Sequence, residues 1–138
     1  MSPGINDPGT AINGIDYLTE LFSLRLQHKE NDLICKEGKA LIKIKTLSFD
    51  ELLYNIMASI RTYCKHDIIL VQKLLVMFKY LKARGNKDNR YLDSIEKEVH
   101  TLLIDVKNSV SNSRDIEAIF KLARSYGFET NLQLTRKL

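Results

Sequence analysis

The stretch "IILVQKLLVMFKYLKA" (residues 68–83) decides the fold, because it predicts a helix with apolar residues on nearly every side. A helix of this kind is buried among other helices. Gln72, Lys73 and Lys79 interrupt the run, which is also shorter than the roughly 20 residues that span a bilayer. We therefore expect residues 68–83 to form the central helix of a bundle, ended by Gly85.

Two start signals predict the helices that precede this segment. Asp7 can cap free backbone N–H groups and Pro8 suits the first helical position, so we expect a helix from there to about His28. Gly14 weakens that helix and indicates that another backbone packs closely against it. The stretch "SFDE" (residues 48–51) matches a capping box, which starts the second helix.

Apolar spacing predicts two further helices after the central one. Residues 88–110 carry apolar side chains at alternating spacings of three and four, which form one long packing seam. Residues 114–126 form the fifth helix, which stops at Gly127. The predicted domain organisation is a helical domain at residues 1–128, followed by a C-terminal tail at residues 129–138 that has no clear period.

The segment between the first two helices predicts a β-hairpin. Residues 33–35 and 41–45 flank a polar turn, and the second run alternates apolar residues with lysines. Because an isolated two-stranded ribbon is marginally stable in water, we expect it to lie on the helices or against another chain. The predicted fold class is therefore all-α, a five-helix bundle-like domain with one short β-hairpin after the first helix.

The composition fits one globular domain, since 44% of the 138 residues are hydrophobic and 28% are charged. The net charge of +4 is uneven, with bases concentrated at residues 67–87 and acids at residues 88–110, which favours ion pairs between neighbouring helices. Cys35 and Cys64 lack paired spacing, so neither a disulfide framework nor a zinc finger is indicated. No stretch has the features of a secretory signal.

Cys64, His66 and Asp67 form the densest group of reactive side chains. A nucleophile needs an orienting third group and a structural zinc needs four ligands, which the sequence nearby does not offer. The favoured interpretation is a histidine at a helix end beside a capping aspartate. His28 and His100 lack the spacing that places two imidazoles on one side of a helix. We therefore predict no catalytic residue, no metal site and no cofactor.

Two groups of charged residues are predicted to lie on the protein surface. Asp93, Glu96 and Glu98 fall on the polar side of the fourth helix, where we expect them to be solvated and paired with bases of the third. The strip from Lys73 to Lys87 is basic, but it has only Tyr80 interleaved and no helix-turn-helix signature. Nucleic-acid binding through this strip is therefore only a third hypothesis.

The opening "SPGINDPGTA" (residues 2–11) resembles the S-P-G-I-N-D-P-x-T-A motif of a family of bacterial predicted integral membrane proteins, the domain of unknown function 2254 family. A looser likeness covers residues 60–78, where "IRTY" is similar to the I-R-x-Y segment of that family. Two positions depart from the family pattern: Gly9 replaces a bulky residue and Cys64 replaces a small one.

The resemblance implies that this chain is the soluble C-terminal part of a protein whose transmembrane helices lie upstream of Met1. The parent protein would then lie in the inner (cytoplasmic) membrane, with this domain on the cytoplasmic side. Expected partners are its own upstream transmembrane segment and further copies of the chain in a homo-oligomer; contact with the membrane surface is compatible with the positive charge. The leading hypothesis is a regulatory, assembly or partner-binding module without catalysis of its own.

The alternative hypothesis is a small-ligand-binding or enzymatic domain. Its pocket would lie near the Asn6-Asp7 motif and His66, and it requires the candidate residues to converge on one cleft. These candidates are Gly4, Asn6, Asp7, Arg61, Tyr63 and His66.

Overall fold

The protein folds into a helical bundle, seen in a computed structural model that describes residues 8–27, 34–37, 40–43, 48–85 and 89–131. The helices within these residues are α1 (Pro8–Leu26), α2 (Phe49–Cys64), α3 (Ile68–Arg84), α4 (Asn89–Ser109) and α5 (Ser113–Ser125). All five predicted helices are present, and the all-α prediction is confirmed.

Polar side chains cap the starts of α2 and α3 as predicted. The Ser48 hydroxyl accepts a hydrogen bond from the Glu51 backbone N–H at 3.2 Å. Asp67 Oδ1 accepts from the N–H groups of Ile69 at 2.9 Å and Leu70 at 3.3 Å. Because these N–H groups have no partner within their helices, the caps determine where each helix begins.

The end of α5 is a Schellman motif. Gly127 has a φ of +79°, which favours glycine, and its N–H donates to the Arg124 carbonyl at 2.9 Å. The Phe128 N–H donates to the Ala123 carbonyl at 3.1 Å, and the Phe128 side chain is buried. The predicted stop at Gly127 is confirmed, whereas residues 132–138 of the predicted tail lie outside the described residues.

Helix α3 is the centre of the bundle, as predicted. It packs against α1, α2, α4 and α5, and most extensively against α1. Its fully buried side chains include Leu74, Leu75, Phe78 and Leu81. At about 25 cal/mol per Å² of apolar surface, burial along this helix is a main source of stability.

Helices α1 and α3 run in the same direction. Lys73 Nζ lies 2.7 Å from Asp16 Oδ1 near the middle of both helices. Farther along, a methyl of Leu26 lies 3.9 Å from the position that a Cβ at Gly85 would occupy. Both helices therefore begin at the same end of the bundle and enclose a groove between them.

The fold-class prediction is wrong in one respect: the β-hairpin is not part of the bundle, which is built by helices alone. Strands β1 (Ile34–Glu37) and β2 (Ala40–Lys43) pair with each other in antiparallel register, with Ile34 opposite Lys43. Their bounds differ from the predicted ranges, residues 33–35 and 41–45. Among the described residues, neither strand packs extensively on a helix. The physical reason is size, since two strands of four residues offer too little surface to join a core.

Gly14 lies in open space rather than against another backbone, so the predicted close packing is wrong. No described atom outside its own helix backbone lies within 4 Å of the position of an added Cβ. Gly14→Ala is therefore expected to raise the free energy of unfolding by about 0.5–1 kcal/mol, because alanine loses less backbone entropy in a helix. Urea unfolding followed by circular dichroism measures this difference.

The matched control for that prediction is Gly127→Ala. At a φ of +79° an alanine is strained, so this variant is expected to lose about 1 kcal/mol. Equal effects of the two substitutions would contradict the assignment of Gly14 to open space.

Candidate functional site

A buried cluster of three charged side chains joins α2 to α4. Arg61 Nη1 donates a hydrogen bond to Asp105 Oδ2 at 2.9 Å, and Arg61 Nε lies 3.6 Å from Glu98 Oε2. Glu98 and Asp105 are two turns apart on α4 and therefore face the same way. We call Arg61, Glu98 and Asp105 the charged cluster.

The charged cluster is incompletely paired. The side chains of Arg61 and Glu98 are only 11% and 7% exposed, and Asp105 is partly exposed. Arg61 Nε and Glu98 Oε2 are buried without a hydrogen-bond partner among the described residues. One guanidinium thus faces two carboxylates, so the cluster carries an excess negative charge. Buried polar atoms left in this state are rare in proteins.

The environment raises the pKa of the Glu98 carboxyl above its ordinary value. Burial is the largest cause, because it penalises the charged form. Arg61 acts in the opposite direction, while Asp50 and Asp105 add to the increase. Carboxyls with a raised pKa that line a cleft are candidates for binding or proton transfer.

An open groove of about 530 Å³ runs beside the charged cluster, and we call it the α2–α4 groove. Glu98 belongs to both the cluster and the groove, and its side chain is only 7% exposed. Three further acids, one lysine, two ring-bearing residues and a threonine also line the groove: Asp50, Glu96, Glu129, Lys97, Tyr54, His100 and Thr101.

The structure corrects the prediction for two of the three acids on α4, since among the described residues only Glu96 pairs with a base of α3. Glu96 pairs with Lys82 of α3 at 2.8 Å as expected, and Asp93 pairs with Lys97 on its own helix at 3.1 Å. Glu98 is buried rather than solvated, and its partner is Arg61 of α2 rather than a base of α3. Its spacing of seven residues from Tyr91, which is also buried, is the sequence signal that could have indicated this position.

The predicted pocket residues are partly described. Arg61 belongs to the charged cluster, Tyr63 is exposed on α2, and His66 is exposed in the turn that follows α2. The remaining candidates, residues 4, 6 and 7, lie outside the described part of the chain. Their convergence on one cleft therefore stays a prediction.

Cys64 and Asp67 have structural roles beside His66. Burial raises the pKa of the Cys64 thiol, with a smaller contribution from Asp67. The sulfur is thus held in its thiol form, which is the weaker nucleophile. Asp67 caps α3, as the favoured interpretation predicted. Within the described ranges, no three His, Cys, Asp or Glu residues are placed to hold a metal ion.

The lysine strip on α3 is engaged within the bundle. Lys79 Nζ lies 4.6 Å from the centre of the Tyr126 ring, and Lys82 Nζ donates to the Gly127 carbonyl at 2.8 Å besides its pair with Glu96. These contacts attach α5 to α3 and α4. Nucleic-acid binding through the strip stays an untested hypothesis.

A second candidate surface lies on the outer sides of α1 and α3. Tyr17, Leu21 and Leu24 on α1 are all more than half exposed. Large apolar side chains are also exposed on the neighbouring α3, at Ile69, Val76 and Tyr80. Of these six residues, Leu24 and Tyr80 line the groove between the two helices; we refer to all six as the α1–α3 face.

The comparison with known families agrees with the opening motif. The family described as "Predicted membrane protein (DUF2254)" matches residues 1–80, which is more than half of the chain. The protein is therefore a member of a family of predicted membrane proteins, and it belongs to DUF2254. No curated protein and no solved structure matches the chain. Among the helices described, none has the length and apolar character needed to cross a bilayer.

Proposed function

We propose that this chain is an assembly module of a membrane-associated protein, and that copies of it join through the α1–α3 face. The carrying observation is the set of six large apolar side chains that the bundle leaves exposed on two adjacent helices. Exposed apolar patches of this kind mark interaction sites in soluble domains. The proposed role of this face is therefore the association of one copy of the chain with another.

Helix α1 supports the proposal because it is apolar on two opposite sides. Ile15 and Phe22 point into the core and are almost completely buried. Tyr17, Leu21 and Leu24 follow a spacing of four and three, so they form a second stripe. A helix with one apolar side needs one packing partner, and the second stripe calls for another.

The charges beside the face favour a second copy of the chain over a lipid surface. A groove between the two helices is lined by Asp16 and Glu20 of α1 and by Arg84 of α3. Asp16 is already paired with Lys73 of its own chain, so in a two-fold dimer we expect Glu20 of α1 in one copy to pair with Arg84 of α3 in the other. An anionic bilayer would instead be repelled by Glu20.

The test is the mass of the chain in solution, measured by sedimentation equilibrium over a range of concentrations. The wild-type chain is expected to form dimers, and Leu21→Asp is expected to be monomeric with an unchanged circular dichroism spectrum, because the side chain is mostly exposed. Ala118→Asp is the matched control, since it adds the same charge at an exposed position of α5, which packs on α3 and α4.

Two outcomes would overturn this proposal. A wild-type chain that stays monomeric, or a Leu21→Asp variant that still dimerises, excludes the α1–α3 face as a self-association surface. Binding of a monomeric wild-type chain to vesicles of anionic lipid, lost in Leu21→Asp, would assign the face to the bilayer instead.

A further inference from the structure

We propose that the α2–α4 groove binds an elongated organic cation with two or more ammonium groups, a compound of the polyamine class, and that Glu98 is its buried anchor. This site is independent of the proposed dimer, because no member of the α1–α3 face lines the groove.

Glu98 points to a cationic ligand because its negative charge is only partly compensated. Its side chain is more than nine-tenths buried, yet Oε2 has no hydrogen-bond partner among the described residues. Arg61 is the nearest cation, but its hydrogen bond goes to Asp105. An added ammonium group beside Glu98 in the groove would supply the missing positive charge.

The spacing of the other acids favours an extended ligand over a metal ion. Asp50 at the start of α2, Glu96 on α4 and Glu129 after α5 line the same groove from three different elements. Within the residues described, they do not converge closely enough to chelate a metal. Separate carboxylates along a groove instead match separate ammonium groups along a flexible chain.

The neighbouring bases leave this groove acidic. Lys97 lines the groove itself and is paired with Asp93, which lies outside the lining, while Lys82 compensates Glu96. The excess negative charge of the groove therefore comes from Asp50, Glu98 and Glu129. The chain as a whole carries a net charge of +4, so its overall field does not attract polycations. Binding of a polyamine would therefore be due to the local negative charge of the groove and not to the net charge of the chain.

Tyr54 adds an aromatic surface to the same groove, and more than half of its side chain is exposed. A tyrosine ring attracts ammonium groups over its face, and it also packs against the methylene segments between them. The volume of about 530 Å³ lies in the range of small-molecule sites.

The experiment is isothermal titration calorimetry of the full 138-residue chain with spermidine at constant ionic strength. Saturable binding is expected, with affinity about tenfold weaker in Glu98→Gln, which keeps the shape of the side chain and removes its charge. Glu117→Gln is the matched control, because it removes the same charge from an exposed position of α5. Tyr54→Ala, an exposed change, is also expected to weaken binding while the circular dichroism spectrum stays unchanged.

Magnesium chloride and a tri-lysine peptide complete the design. Magnesium binding as tight as that of spermidine, or equal losses in Glu98→Gln and Glu117→Gln, would show non-specific charge attraction and overturn the proposal. Tighter binding of tri-lysine than of spermidine would show that the groove binds a basic protein segment. That result would overturn the proposal of a small-molecule ligand. Unchanged binding in both Glu98→Gln and Tyr54→Ala would exclude the groove.

Discussion

Phe49→Ala is expected to lower the free energy of unfolding by about 3–5 kcal/mol, the range for removing a fully buried phenylalanine. Phe49 is the first residue of α2 and is completely buried. Its ring meets Phe22 of α1 edge to face at a centroid distance of 6.2 Å, and Tyr91 of α4 at 4.9 Å. The substitution therefore opens a cavity where three helices meet.

Tyr54→Ala is the matched control for the loss of an aromatic side chain. It lies on the same helix, but it is mostly exposed, so its effect is expected within about 0.5 kcal/mol. Chemical denaturation of both variants gives the comparison. A Phe49→Ala variant as stable as Tyr54→Ala would contradict the placement of Phe49 at the junction of the three helices.

Arg61→Leu is expected to cost about 3–5 kcal/mol, because removing one partner of a buried ion pair leaves the other charge uncompensated. Within the described residues, Arg61 is the only cation paired with Glu98 and Asp105. Without it, two carboxylates on the same side of α4 face an apolar side chain. Arg114→Leu, at an exposed position on α5, is the control and is expected to change stability little.

The double variant Arg61→Leu with Glu98→Gln tests the electrostatic origin of that loss. If the cost comes from the uncompensated carboxylate, the second substitution restores more than half of the lost stability. A double variant as unstable as Arg61→Leu alone would show instead that packing of the arginine stem carries the effect.

The pH dependence of Arg61→Leu follows from the pKa of Glu98. Burial already raises that pKa, and Arg61 is the cause that lowers it, so the variant raises it further. The ionised carboxyl is then penalised in the folded state above this raised pKa, and the penalty disappears below the ordinary value of the unfolded chain. The stability difference between wild type and variant is therefore expected to shrink as the pH falls from above the raised pKa of Glu98 to below its ordinary value.

Helix boundaries could be predicted from sequence wherever a cap is encoded locally. Ser48, Asp67 and Gly127 each make the capping contact or adopt the backbone angle that their positions indicated. These features depend on residues within one turn, so no knowledge of the tertiary structure is needed.

The charged cluster could not be predicted with the same means. Glu98 follows the polar residues Glu96 and Lys97 in sequence, and its partner Arg61 lies on a different helix. The exposed apolar residues of α3 are a similar case, since a helix that is apolar on nearly every side does not reveal which side its neighbours leave open. Ile69, Val76 and Tyr80 remain uncovered because four helices pack around the other sides of α3.

The part of the chain that matches the family is shorter than the bundle that packs around α3. The family match ends at residue 80, inside α3, and so contains α1, α2 and most of the central helix. Two of the four helices that pack on α3 lie beyond that point. A fragment cut at the family boundary would expose the sides of α3 that α4 and α5 cover. We therefore expect such a fragment to be less stable than the whole bundle.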